Sequence, residues 1–218
     1  MSLLQKLRFF QEALISYSIP LNVLRQYKKM RLLGNPELFE IVKLSYQQAV
    51  KQWGCNMRDT KAALAWIIDI LRSSQIPFQI SGGLAAKAYG ATRELADIDI
   101  DIPDDKFDLV KDRVGDYIIF GPEHLKGEQW DLLLMTLNYK GQEIDISGAY
   151  RTKIFNKESG IWYPLITDFS KVVIRDIMGL QVPVIPRDEL LTYKKILARA
   201  VDIIDIKQIE SKFNDFSV

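Results

Sequence analysis

Residues 79–102 read QISGGLAAKAYGATRELADIDIDI, and the end of that stretch decides the fold. From Asp97 to Ile102, acidic and apolar residues alternate without a break. Strand side chains alternate faces, so Asp97, Asp99 and Asp101 point one way and Ile98, Ile100 and Ile102 the other. The isoleucines specify a strand with one packed face, and the carboxylates crowd about 14 Å of the opposite face. Like charges at that spacing repel unless something positive sits between them. Hard divalent cations such as Mg²⁺ favour such all-oxygen surroundings. An edge strand with a solvated acidic face has the same pattern, so the strand alone leaves both readings open.

The preceding residues shift the balance. Pro77 ends any helix, Phe78–Ser81 reads as a short strand, and Gly82-Gly83 leads into the helix-forming run Leu84–Tyr89. Backbone N–H groups at a strand-to-helix junction can receive a phosphate, and glycine lets the backbone come close. A bare Gly-Gly is otherwise a simple turn. The spacing is not a dinucleotide fingerprint, since no Gly-x-Gly-x-x-Gly opens the helix. Nor does it end in the Gly-Lys-Ser/Thr of a P-loop. What remains is a phosphate cradle separated from an acidic strand by one short helix.

Farther out, Leu64, Ile67, Ile68 and Leu71 fall on one helical face, in a helix expected to start at Asp59 or Thr60. Phe107, Val110 and Val114 predict a short helix ending at Gly115. Leu132–Tyr139 and Gln142–Ile146, joined at Lys140-Gly141, read as a hairpin. Val172–Arg175 and Gln181–Ile185, around Met178-Gly179, read as another, and the chain closes in helix from about Asp188. The expected class is α+β, a mixed β-sheet with flanking helices. Its expected parts are a helical N-terminal extension over 1–58, a core over 59–150, and a hairpin with helices over 151–218 that completes the same domain. The extension breaks at Gly34-Asn35-Pro36 and carries a basic cluster, Arg25, Lys28, Lys29 and Arg31, read as a solvated face or a binding patch.

The totals narrow the class. Twenty-nine basic against 28 acidic residues leave a net charge of +1 over 218 residues, unlike the strongly basic balance of a polynucleotide binder. That balance is compatible with a small nucleotide. Cys55 is the single cysteine, so no intramolecular disulfide can form, as is usual in a reducing compartment. Met1–Pro20 lacks the unbroken apolar run of a signal peptide, and no stretch reaches the ~18 apolar residues that span a bilayer. The expected location is the cytoplasm, and a homo-oligomer is left open.

Ser81-Gly82-Gly83, then thirteen residues from Leu84 to Ala96, then Asp97-Ile98-Asp99-Ile100, resembles the signature of the DNA polymerase β-like nucleotidyltransferase superfamily. The fuller string through Ala85, Tyr89, Gly90 and Arg93 looks like its small bacterial branch, which includes lincosamide and aminoglycoside adenylyltransferases. The resemblance implies transfer of a nucleoside monophosphate from ATP or another triphosphate to a hydroxyl, with Mg²⁺ or Mn²⁺. It implies metal ligation by Asp97 and Asp99, and a third carboxylate on a neighbouring strand. Glu143 and Asp145 both suit that place, and Asp145, between Ile144 and Ile146, matches better. Asp145 is then also the expected base for the acceptor hydroxyl. Ser81, Gly82 and Gly83 would grip the outer phosphates, and Arg93 would either balance phosphate charge or pair with a nearby carboxylate.

The acceptor implied is a small hydroxylated molecule such as an antibiotic. A tRNA or protein acceptor, and a catalytically silent nucleotide-binding module, are the alternatives. Two residues depart from the pattern: Leu95, where relatives often carry a small hydroxyl residue, and Gly83, where many have serine. Tyr193, Lys194, Lys195, Arg199, Asp202 and Asp205 look like the closing helices of these relatives. Their charges either approach the triphosphate or ion-pair the helical end onto the core. His124 lies outside every motif and reads as a surface histidine rather than a base. Trp130, Tyr139, Tyr150, Trp162 and Tyr163 read as core and edge residues or as the lining of an acceptor pocket.

Overall fold

The computed structural model describes residues 58–214. The expected N-terminal extension, its Gly34-Asn35-Pro36 break and its basic cluster lie outside the described residues. Helix α1, Thr60–Ser73, buries Ala63, Leu64, Ile67, Ile68 and Leu71, the face its periodicity marks. Strand β1, Gln79–Ile80, then leads through Ser81 into helix α2, Gly82–Ala88. Strand β2 is Asp97–Ile102, and helix α3 is Phe107–Val114, ending at Gly115.

Strands β3 (Ile118–Lys126), β4 (Trp130–Tyr139) and β5 (Gln142–Gly148) follow. Next come β6 (Lys153–Asn156), β7 (Ile161–Pro164), β8 (Val173–Ile177) and β9 (Leu180–Val184). Helices α4 (Arg187–Leu197) and α5 (Ala200–Asn214) close the described chain. Among the described residues no helix is long and apolar enough to cross a membrane.

The strands form one mixed sheet in the order β7-β6-β4-β5-β2-β1-β9-β8, with β3 pairing β4. Only β2 with β5 and β1 with β9 run parallel; the other pairs are antiparallel. The two expected hairpins are present, with Tyr139 opposite Gln142 and Ile177 opposite Leu180. The elements absent from the sequence reading are β3 and the β6–β7 hairpin. Strand β3 is interrupted at Gly121-Pro122 and shifts register twice against β4. Its proline cannot donate to the ladder, so the segment lacks the regular alternation that reveals a strand.

The sheet is fixed by its apolar face. Ile98, Ile100 and Ile102 of β2 and Ile144 and Ile146 of β5 are all fully buried, in one core with α1 and α3. Burying each such side chain is worth about 1.5–3 kcal/mol. A one-residue slip of β2 against β5 would put these isoleucines in place of the carboxylates, so the core sets the register of the opposite face.

Candidate active site

Strands β2 and β5 pair with Asp97 opposite Glu143, Asp99 opposite Asp145 and Asp101 opposite Ser147. Residues opposite each other share a face, so the acidic side of β2 continues onto β5. The Thr136 hydroxyl, fully buried on β4 and directly opposite Asp145, donates to Asp145 Oδ1 at 2.6 Å.

The Ser81–Gly83 turn is pressed onto the centre of this face. Gly82 has φ +58, and a Cβ there would lie 1.7 Å from Asp99 Oδ2, so only glycine fits both the backbone and the contact. The Gly83 N–H donates to Asp99 Oδ2 at 3.3 Å. The Ser81 N–H donates to the Asp99 carbonyl at 3.0 Å, so this residue continues the β1–β2 pairing. The Gly82 N–H donates to the Tyr193 hydroxyl of α4 at 2.9 Å. The cradle is thus capped by the protein's own oxygens.

Burial, then repulsion from Asp97 and Asp145, pushes Asp99 up to about 7, despite the Gly83 N–H that favours its charged form. Burial likewise raises Asp101 to about 6, opposed by hydrogen bonds from Gln79 and Ser81. Tyr193 is raised well above its ordinary value, first by burial and then by Asp99 and Asp101. Among the described residues no three acidic, histidine or cysteine side chains stand close enough to hold a metal ion as they are. The donor set still suits a hard divalent cation: it is all oxygen, and the repulsion at Asp99 is what a cation would relieve.

No protein-family model and no curated protein matches the sequence. Solved structures do match in shape. A Thermotoga maritima protein designated a nucleotidyltransferase aligns over 73% of this chain and 97% of its own, with TM-score 0.54 and 17% identity. The solution structure of the antibiotic-resistance factor ANT(2'')-Ia aligns over 72% and 86%, with TM-score 0.50 and 14% identity. The fold is that of the nucleotidyltransferases. A lincosamide antibiotic adenylyltransferase with lincomycin bound also aligns, over 72% and 98%, with TM-score 0.49 and 19% identity.

Within this nucleotidyltransferase fold the closing helices carry a set of ion pairs. Arg93 pairs with Asp205 of α5 through two bonds, Nε to Oδ1 at 2.8 Å and Nη2 to Oδ2 at 3.0 Å. Lys194, 1% exposed, lies between Asp202 and Asp205 at 3.1 and 2.9 Å, and Arg199 pairs with Asp202. Burial works against the charge of Asp202, yet Arg199 and Lys194 hold it below the ordinary carboxylate value. Lys194, Arg199, Asp202 and Asp205 thus ion-pair the helical end, while the Tyr193 hydroxyl meets the Gly82 N–H.

The same pairing places the Arg93 guanidinium beside the turn. A Cβ at Gly83 would lie 2.8 Å from Arg93 Nη2 and 3.3 Å from Leu95 Cδ1. The two departures are therefore one packing arrangement, in which Leu95 and Arg93 fill the space a side chain at position 83 would take.

His124 is exposed on β3 and pairs with Asp131 at 2.7 Å. Trp130, Tyr139 and Tyr163 pack against the core, and Trp162 contacts Phe155. Tyr150 lines an open depression of about 730 Å³ with Pro77, Pro103 and Arg151, past the end of β2. That depression includes none of Asp97, Asp99 and Asp145, so it is not where the carboxylates meet the turn.

The Thr136–Asp145 bond joins two strands at the carboxylate face. Thr136→Val keeps the side-chain shape and removes the donor, which should cost about 1–2 kcal/mol in metal-free protein. Urea denaturation measures this directly; an unchanged midpoint would show that the bond adds no stability.

Proposed function

We propose that this protein transfers a nucleoside monophosphate from a nucleoside triphosphate to a hydroxyl of a small molecule, releasing pyrophosphate. The observation that carries the reading is the contact of the Gly82–Gly83 turn with Asp99, level with Asp145 on the adjoining strand. It supports a reaction in which phosphates and carboxylate-bound metal meet. Asp97, Asp99 and Asp145 are the residues that would hold Mg²⁺ or Mn²⁺, and such an ion would neutralise charge on the triphosphate oxygens.

The N–H groups of Gly82 and Gly83 would bind phosphate oxygens in place of the Tyr193 hydroxyl and the Asp99 carboxylate. Ser81 contributes by anchoring the turn. Arg93, already beside Gly83, would balance charge on the outer phosphates. Asp145 would take the proton as the acceptor oxygen bonds to the α-phosphorus and the bond to pyrophosphate breaks. Residues 59–150 would supply this machinery, with 151–218 completing the same domain: β9 pairs with β1, and α4 and α5 supply Tyr193 and Asp205.

Nucleotide binding should depend on metal. Titrating a non-hydrolysable ATP or GTP analogue by calorimetry should show affinity at least ~10-fold weaker in chelator than in Mg²⁺, about 1.4 kcal/mol. Affinity indifferent to chelator removes the metal-bridged reading. Pyrophosphate release assayed across small hydroxylated acceptors, tRNA and protein separates the acceptor classes. Binding without release in any of them identifies a silent module.

A further inference from the structure

The acidic strand carries a third carboxylate that the proposed reaction leaves unused. Both oxygens of Asp101 are engaged from β1 and the turn: Ser81 Oγ donates to Oδ1 at 3.2 Å and Gln79 Nε2 to Oδ2 at 2.8 Å. Ser81 stands immediately before α2 with extended backbone, φ −126 and ψ −159. A serine there ordinarily accepts a hydrogen bond from an N–H of the first helical turn. This one makes no such bond, because its hydroxyl is turned back to Asp101.

Gln79 shows the same subordination. It is 2% exposed, and its Oε1 is buried with no partner, while its Nε2 donates to Asp101 at 2.8 Å and, more weakly, to the Thr167 hydroxyl at 3.5 Å. The shorter of the two bonds is the one to the carboxylate, and it leaves the amide oxygen unsatisfied. Ser81 is therefore held to β2 twice, through its N–H to the Asp99 carbonyl and through its hydroxyl to Asp101. The next residue is Gly82, whose Cα rests on the Asp99 carboxylate.

We propose that Asp101 is a positioning residue, which turns the Ser81 hydroxyl away from the helix start and so seats the Gly82–Gly83 turn on Asp99, without itself binding metal. This rests on the nucleotidyl-transfer reading above. A metal ligand and a positioning acceptor respond differently to substitution. Asp101→Asn loses the charge, but its Oδ1 can still accept from Ser81. Its Nδ2 then faces Gln79, whose amide can turn over to present the oxygen that now lacks a partner.

The test is calorimetric binding of a non-hydrolysable ATP analogue with Mg²⁺, with thermal melting to establish that each variant is folded. Asp101→Ala should weaken binding about 10-fold, the scale of one lost hydrogen bond. Ser81→Ala should weaken it to the same degree, and the double variant no further, because one residue acts through the other. Asp101→Asn should stay within about twofold of the native protein. If Asn is as weak as Ala, Asp101 binds metal and the proposal is overturned. Native affinity in Ser81→Ala overturns it too, even should Asp101→Ala fail to fold. A native protein that binds no Mg²⁺-nucleotide at all removes the nucleotidyl-transfer reading itself, an outcome distinct from any of these.

Discussion

Asp99→Asn is expected to abolish nucleotidyl transfer while leaving the metal-free protein as stable as before, or more so. The amide oxygen can still accept from the Gly83 N–H, so the turn keeps its seat. What is lost is the charge that would hold the metal, which should cost at least ~1,000-fold in turnover, about 4 kcal/mol. The stability half follows from the raised pKa. In the folded protein Asp99 titrates at about 7, above its ordinary value of 3.8. Between those values the folded state holds a proton that the unfolded state has released, so native stability falls as pH rises from about 4 to about 7.

The variant has no such group to titrate. Its advantage over the native protein should be absent near pH 4, grow with pH and level off above pH 7. At that plateau a gain of roughly 2–8 °C in melting temperature is expected, and saturating Mg²⁺ should reduce it by stabilising the native protein alone. Melting curves at several pH values, with and without metal, check every part of this. A large loss of stability at all pH values would show instead that Asp99 is a structural residue.

Asp145→Ala should cost about 100-fold or more in turnover, and Glu143→Ala much less. Both carboxylates point to the same face of β5, so parity alone does not choose between them. The register does. Asp145 lies opposite Asp99, the residue on which the Gly82–Gly83 turn sits, whereas Glu143 lies opposite Asp97, one pleat away, roughly 7 Å. Thr136 also orients Asp145 through the bond at 2.6 Å. Single-turnover rates at saturating nucleotide separate loss of chemistry from loss of binding. Were Glu143→Ala the dead variant and Asp145→Ala active, the base would have to be reassigned to the level of Asp97.

Much of this molecule was legible before its structure. The alternation Asp97–Ile102 named a strand, its buried face and its acidic face, because a period of two is a local property of the chain. Gly82-Gly83 after Ile80 named the turn, and the helices around Leu64 and Val110 followed from their spacing. Strand β3 and the β6–β7 hairpin were not legible, since a bulged strand broken by Pro122 and two four-residue strands show no sustained period.

By itself the sequence determined which residues could share a face: Asp97, Asp99 and Asp101 on one strand, Glu143 and Asp145 on another. Only the tertiary structure decided that Asp99 and Asp145 stand side by side, because strand register is set by the isoleucines packing beneath them. It also decided where Arg93 goes, bound to an aspartate 112 residues away, and that Tyr193, 111 residues from Gly82, covers the turn's N–H. Contacts between side chains so distant leave no periodic trace in a chain; they exist only once the helical end has docked and buried Lys194 between two carboxylates.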